Sequence, residues 1–195
     1  MAEKRTAQIV LASTSPRRKQ LLTEAGYEFA VCPPDIDESA YLSEHIRPCE
    51  YAERLAAAKA RSVAGRFPDS IVIGADTIAD FNGEIIGKPA DSKEAEQIIR
   101  KLFSAPHRVV TAVSIVRISD GTELVQSDIT IVYPKKMSEE QISKHIKSQS
   151  WRGKAGAYAI QETGDEFVER IEGSLTNVMG LPMELLRAML GRFVD

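Results

Sequence analysis

Asp76 follows the run Ser70-Ile71-Val72-Ile73-Gly74-Ala75, which carries no charge of its own. A continuous β-branched run without polar alternation reads as a buried strand, and ligands in open α/β sheets bind outside the carboxyl ends of strands. A lone carboxylate at such an end is a candidate general base or metal ligand. The competing reading is a cap or turn aspartate, since Asp is common where strands end. A second concentration of chemistry is the basic run Ser13-Thr14-Ser15-Pro16-Arg17-Arg18-Lys19, directly after the apolar Gln8-Ile9-Val10-Leu11-Ala12. Ser15 is a good N-cap and Pro16 suits the first helical turn, so the spacing predicts strand, loop and helix. The unpaired N–H groups of that helix, the positive pole of its dipole and the guanidinium groups of Arg17 and Arg18 favour an anion, for which phosphate is the usual candidate. A capped surface helix with solvated arginines would carry the same signature.

Three lysines extend the pattern. Lys59 lies four residues after Leu55 and four before Val63, on a helical face that should point at the core. A lysine there either snorkels or reaches an anion in a cleft. Lys88 in Gly87-Lys88-Pro89 and Lys154 in Gly153-Lys154-Ala155-Gly156 sit in loops whose glycines allow close backbone approach to a ligand. Neither loop is a Walker A motif, because the earlier glycine and the following Ser or Thr are missing, which disfavours a P-loop kinase or GTPase. Asp35, Asp37 and Glu38 crowd carboxylates into one loop, and hard oxygen donors of this kind suit Mg²⁺ or Mn²⁺, although a solvated surface loop has the same composition. Gln161 has an amide that donates and accepts at once, as reading a base edge requires.

The elements that must position these residues alternate along the chain. Phe29 to Cys32, Arg108 to Ile118, Glu123 to Tyr133 and Glu166 to Ile171 read as strands. Helices are predicted over about Glu50–Gly65, Ser92–Ser104 and Pro182–Leu190, and one capped by Ser138 and Gln141 runs to about Gln149. Asn82-Gly83, between Ile78-Ala79-Asp80-Phe81 and Glu84-Ile85-Ile86, is a type I′ hairpin signal. With 195 residues, 43% hydrophobic and 27% charged, the composition suits one globular α/β domain over residues 1–195, with a mixed β-sheet flanked by helices. A net charge of −3 argues against general nucleic-acid or membrane binding, so anion affinity must come from locally gathered Lys and Arg. No stretch has the length of a signal-peptide or transmembrane apolar run, and Cys32 and Cys49 form no C-x-x-C pair. A cytoplasmic protein with reduced thiols is expected.

Seven collinear segments resemble the Maf family of nucleoside triphosphate pyrophosphatases. They are Leu11 to Arg18, Asp35 to Glu38, Arg54 to Ala60, Gly74-Ala75-Asp76-Thr77, Gly87-Lys88-Pro89, Lys154 to Gln161 and Asn177 to Pro182. The resemblance implies a two-lobed fold around a nucleotide cleft, related to that of the inosine triphosphate pyrophosphatases, and usually a homodimer. It implies cleavage of a nucleoside triphosphate between its α and β phosphates, with a divalent metal. Asp76 would be catalytic, Ser13, Arg17, Arg18, Lys59, Lys88 and Lys154 would bind substrate, and Glu38 and Asp76 would hold the metal. Arg17, Thr77 and Gln161 resemble the specificity trio of the branch acting on dTTP and UTP, rather than that of the sister branch preferring 7-methyl-GTP. Ala159 stands where the pattern often has glycine and Leu175 where an aromatic residue is frequent, two departures expected to bear on the base pocket. The family's link to septum formation also leaves a second class of function, a regulator that binds nucleotide without hydrolysing it.

Overall fold

The structure, a computed structural model, describes residues 8–43, 45–158, 160 and 167–193. Among these the apolar runs become strands β1 (Ile9–Ala12), β2 (Phe29–Val31), β3 (Ile71–Phe81), β4 (Glu84–Ile86), β5 (His107–Arg117), β6 (Thr122–Pro134) and β7 (Val168–Glu172). The helices are α1 (Pro16–Glu24), α2 (Pro48–Ala64), α3 (Ser92–Leu102), α4 (Glu139–Ser148), the single-turn α5 (Leu175–Val178) and α6 (Met183–Leu190). Local chemistry sets their ends. Ser15 caps α1 and Asp91 caps α3, while Ser138 and Gln141 form the expected reciprocal box on α4. Asn82 and Gly83 both have positive φ, 53° and 91°, as a type I′ turn requires, and β3 and β4 pair across them.

The strands form one mixed sheet in the order β2-β1-β3-β5-β6-β7, with β4 also paired to β3. β1 runs parallel to β2 and β3, and the other pairs are antiparallel. This is the mixed sheet flanked by helices that the sequence predicts. One element departs from the sequence reading: the run ending at Ala75 and the segment beginning at Ile78 are a single strand. β5 pairs with β3 without interruption from Val72 to Asp80 and holds Asp76 and Thr77 inside the ladder.

Asp76 therefore does not close its own strand; a neighbouring strand closes beside it. β1 stops at Ala12, opposite Gly74, and β4 joins only from Ala79 onward. Both must use the same edge of β3, because β5 occupies the other. Among the described residues the edge at 75–78 has no strand beside it, and this gap opens the cleft. An apolar core lies on each side: Leu11, Leu22, Ile73, Ile115 and Leu186 form one, and Ala79, Ile99, Leu102, Val132 and Trp151 belong to the other. Among the described residues no helix is long and apolar enough to cross a membrane.

Successive side chains of a strand point to opposite faces. Gly74, Asp76 and Ile78 face α2, whereas Ala75 and Thr77 face the layer that contains α1. A Cβ on Gly74 would lie 2.4 Å from the Ala56 carbonyl oxygen and 2.7 Å from the Ala60 nitrogen. Glycine is what lets the alanine-rich face of α2 settle this close to β3.

Candidate active site

The close seat of α2 on Gly74 carries Lys59 onto the carboxylate two residues along the strand. Lys59 Nζ lies 2.5 Å from Asp76 Oδ1 and 2.8 Å from Glu38 Oε1. Lys59 and Asp76 are each only 6% exposed, so Lys59 does not snorkel to solvent. Charges removed from water need partners, and this cation sits between two carboxylates. Glu38 begins a single 3-10 turn, Glu38–Tyr41, whose cap is Asp37: its Oδ1 accepts from the Ser39 N–H at 3.0 Å. Burial pushes the Glu38 carboxyl up. The hydrogen bond and charge of Lys59, together with the charges of Lys88 and Arg18, outweigh that and hold it below the ordinary carboxylate value. Lys88 reaches Glu38 Oε2 at 3.8 Å.

On the opposite face of β3, Arg18 is fixed by three donations. Its Nε gives to the Gly180 carbonyl at 2.8 Å, Nη1 to Ser13 Oγ at 3.3 Å and Nη2 to Thr77 Oγ1 at 3.1 Å. Burial lowers the Arg18 pKa, and Asp76 and Glu38 work against that shift. The chain of hydroxyls behind it has a determined direction. Thr111 Oγ1 donates to the Asn177 carbonyl at 2.8 Å, so at its 3.0 Å contact with Thr77 it must accept, and Thr77 donates. The buried Asn177 amide in turn donates from Nδ2 to the Val109 carbonyl at 3.0 Å and to Thr130 Oγ1 at 2.9 Å.

A cavity of about 340 Å³ joins the two faces through the gap in the sheet. Ser13, Arg17, Arg18 and Thr77 line it from one side, Glu38, Lys59 and Asp76 from the other, and Lys88 and Lys154 from the loops. Ile78, Val109, Tyr158 and Met179 give it an apolar wall. Burial and the nearby charge of Arg17 both lower the Lys154 pKa, so two cations face one space that would favour an anion. Arg17 Nη1 donates to the Ile160 carbonyl at 3.3 Å.

Of Asp35, Asp37 and Glu38 in the acidic loop, Glu38 alone lines the cavity, and Asp37 caps its own turn. Leu175 lies in α5 against one of the apolar cores, and the cavity wall nearby comes from Val178, Met179 and Gly180. Gln161 and Ala159 lie outside the described residues. Sequence reasoning missed Gly74, Thr111 and Asn177 as positioning residues. Thr111 left a signal, a hydroxyl between Val110 and Ala112 inside an apolar strand, whereas nothing local announces that Gly74 meets a helix distant in sequence.

Among the described residues no three His, Cys, Asp or Glu side chains converge as a metal cage. Asp76 and Glu38 do meet at Lys59, and one or two carboxylates that leave positions for phosphate oxygens are the donor set Mg²⁺ accepts. The residues present fit such a cation.

Fold and site together define an α/β protein with a cationic cleft built over a buried carboxylate. The chain belongs to the Maf family: the family described as "Maf-like protein" matches residues 8–193. It is 42% identical over 186 residues to a dTTP/UTP pyrophosphatase of Symbiobacterium thermophilum, covering 95% of this chain and 94% of that protein. A dTTP/UTP pyrophosphatase of Bdellovibrio bacteriovorus is 39% identical over 188 residues, covering 95% of this chain and 98% of the other. In fold the chain is similar to the Ham1 protein of Staphylococcus aureus, with a TM-score of 0.53 and 16% identity over 94% of this chain and 98% of that one.

Proposed function

We propose that this protein hydrolyses dTTP and UTP to the nucleoside monophosphate and pyrophosphate. The observation that carries the reading is the buried Asp76 beside Lys59, in a cleft that Arg17, Arg18, Lys88 and Lys154 also line. Phosphoryl transfer depends chiefly on positioning and charge neutralisation, which those cations supply to a triphosphate. Ser13, whose Oγ accepts from the Ser15 N–H at 3.2 Å and from Arg18, holds the loop under the phosphates. Lys59 fixes Asp76 through Oδ1, and Asp76 Oδ2 takes the proton of the attacking water. Glu38 and Asp76 would hold a divalent cation, Mg²⁺ or Mn²⁺, which supplies Lewis-acid neutralisation of the phosphate oxygens. The substrate pair follows the names of the relatives and the trio Arg17, Thr77 and Gln161. Thr77 acts in it by orienting Arg18, since its hydroxyl already serves Arg18 and Thr111. A homodimer belongs to the same proposal and rests on the family resemblance alone, and a place in the cytoplasm belongs to it on the sequence, which has no apolar run of signal-peptide or transmembrane length.

Pyrophosphate release from a panel of dTTP, UTP, CTP and 7-methyl-GTP tests the reading. The wild type should favour dTTP and UTP over CTP by about tenfold or more, the worth of a hydrogen bond left unmade in a closed pocket. Gln161→Ala should flatten that ranking, and Asp76→Asn should reduce turnover by at least about 100-fold while keeping the fold. Equal rates on UTP and CTP, or 7-methyl-GTP as the best substrate, would overturn the substrate assignment. Turnover within tenfold of wild type in Asp76→Asn would remove Asp76 from the chemistry.

A further inference from the structure

The contact between His107 and Tyr158 plays no part in the chemistry above, yet it reaches the cleft wall. His107 opens β5 and is 2% exposed. Its Nδ1 lies 3.0 Å from the Leu102 carbonyl oxygen at the end of α3, and its Nε2 lies 2.6 Å from Tyr158 Oη. A carbonyl only accepts, so Nδ1 carries the proton; in the neutral ring Nε2 then accepts, and the Tyr158 hydroxyl donates to it. The rings meet edge to face with centroids 5.6 Å apart, and Phe103 adds a second edge contact to Tyr158 at 5.3 Å.

What this anchors is a strained turn. Tyr158 directly follows the turn Ala155–Ala157, in which Gly156 and Ala157 have φ of 73° and 61°. A left-handed alanine persists only where surrounding contacts hold it. Gly156 N–H donates to the Gly87 carbonyl at 3.0 Å, and the Ala157 carbonyl accepts from His145 Nε2 at 2.8 Å. Lys154, on the cavity, enters this turn, and Ile160, whose carbonyl takes the Arg17 guanidinium, follows it.

We propose that His107 is a positioning residue: by accepting the Tyr158 hydroxyl it bolts the 154–158 turn to the end of α3 and so places Lys154 and Arg17 for the substrate. The inference rests on the proposed hydrolysis of dTTP and UTP. It assigns His107 to substrate binding, separate from the bond-breaking step at Asp76.

Three single variants and one double variant test it, each measured for KM and kcat with UTP, for thermal midpoint and for hydrogen exchange of the 154–158 amides. Tyr158→Phe keeps the ring packing and removes only the hydroxyl. His107→Leu removes the acceptor together with the Nδ1–H donor to the Leu102 carbonyl, and His107→Gln returns an acceptor through its side-chain carbonyl. Tyr158→Phe and His107→Leu should each raise KM about tenfold, as expected for one buried hydrogen bond, with kcat within about twofold of wild type. His107→Gln should recover most of the loss. The His107→Leu, Tyr158→Phe double variant should have a KM no higher than that of His107→Leu alone, because the bond that Tyr158→Phe breaks is already lost in it. Amide exchange in the turn should quicken in the same variants. Unchanged KM in a folded Tyr158→Phe protein, or losses that add in the double variant, would overturn the proposal, as would thermal midpoints that fall with KM constant. Should the wild type release no pyrophosphate from UTP, the proposed function fails on its own. The exchange measurement then still decides whether His107 holds the turn: faster exchange in Tyr158→Phe supports it, and unchanged exchange refutes it.

Discussion

Lys59 and Arg61 stand two residues apart on one helix and have opposite fates. Lys59 is buried between Asp76 and Glu38, whereas the Arg61 side chain is 63% exposed and reaches Glu123 at 2.7 Å on the surface. Removing one partner of a buried ion pair strands the other charge, at a cost of about 3–5 kcal/mol, while an exposed pair contributes about 0–1 kcal/mol. Lys59→Ala should therefore lower both stability and pyrophosphate release sharply, and Arg61→Ala should leave both close to wild type. Lys59→Met, which keeps the stem volume without the charge, separates the two effects: activity should stay low at a temperature where the variant is fully folded. Equal kcat/KM for Lys59→Met and Arg61→Ala would mean that the ammonium does not act on the substrate.

The pairing of α2 with β3 turns a helix face into a catalytic contact, and Gly74 is the residue on which that pairing depends. A methyl group at 74 meets backbone atoms of α2 at distances no real Cβ shows, so the helix must shift away and carry Lys59 with it. Gly74→Ala should cost about 1–3 kcal/mol, the usual range for overpacking, and should lower kcat by more than the folded fraction explains. Paired denaturation and turnover measurements check this; a stable Gly74→Ala protein with normal kcat would show that α2 can slide without moving Lys59. Such a contact is where legibility from sequence ends. The capped helices, the Asn82-Gly83 hairpin and the core-facing Lys59 could all be read from local patterns, because caps, turns and helical periodicity are local. That β3 runs unbroken through Asp76 could not, because it depends on pairing with β5, a strand distant in sequence. The same holds for Glu38 against Asp35 and Asp37: three similar carboxylates differ only in which one the Asp37-capped turn points at Lys59.

At the scale of the whole molecule, two buried or half-buried titratable groups should shape its acid sensitivity in separate windows. Burial pushes His107 below its ordinary value of 6.5, although its backbone hydrogen bonds pull the other way. The unfolded chain then takes up the proton first as pH falls, so this contribution is complete above about pH 6.5 and is lost as pH drops from there through the folded value. Glu38 is also lowered in the folded state, from an ordinary value of 4.5, with Lys59 the principal stabiliser of its charge against burial. Its contribution is complete above about pH 4.5 and disappears only below that. Unfolding free energy measured from pH 8 to pH 4 should therefore decline first as pH falls below about 6.5, before the carboxylates titrate, with a slope of at most about 1.4 kcal/mol per pH unit for the single histidine proton. His107→Gln has no such proton, so its curve should stay flat through that window and bend downward with the wild type only once the carboxylates begin to titrate. Parallel curves for the two proteins through that window would mean that His107 titrates alike in the folded and unfolded chain, and that the neutral ring is not what joins α3, β5 and the cleft-side turn.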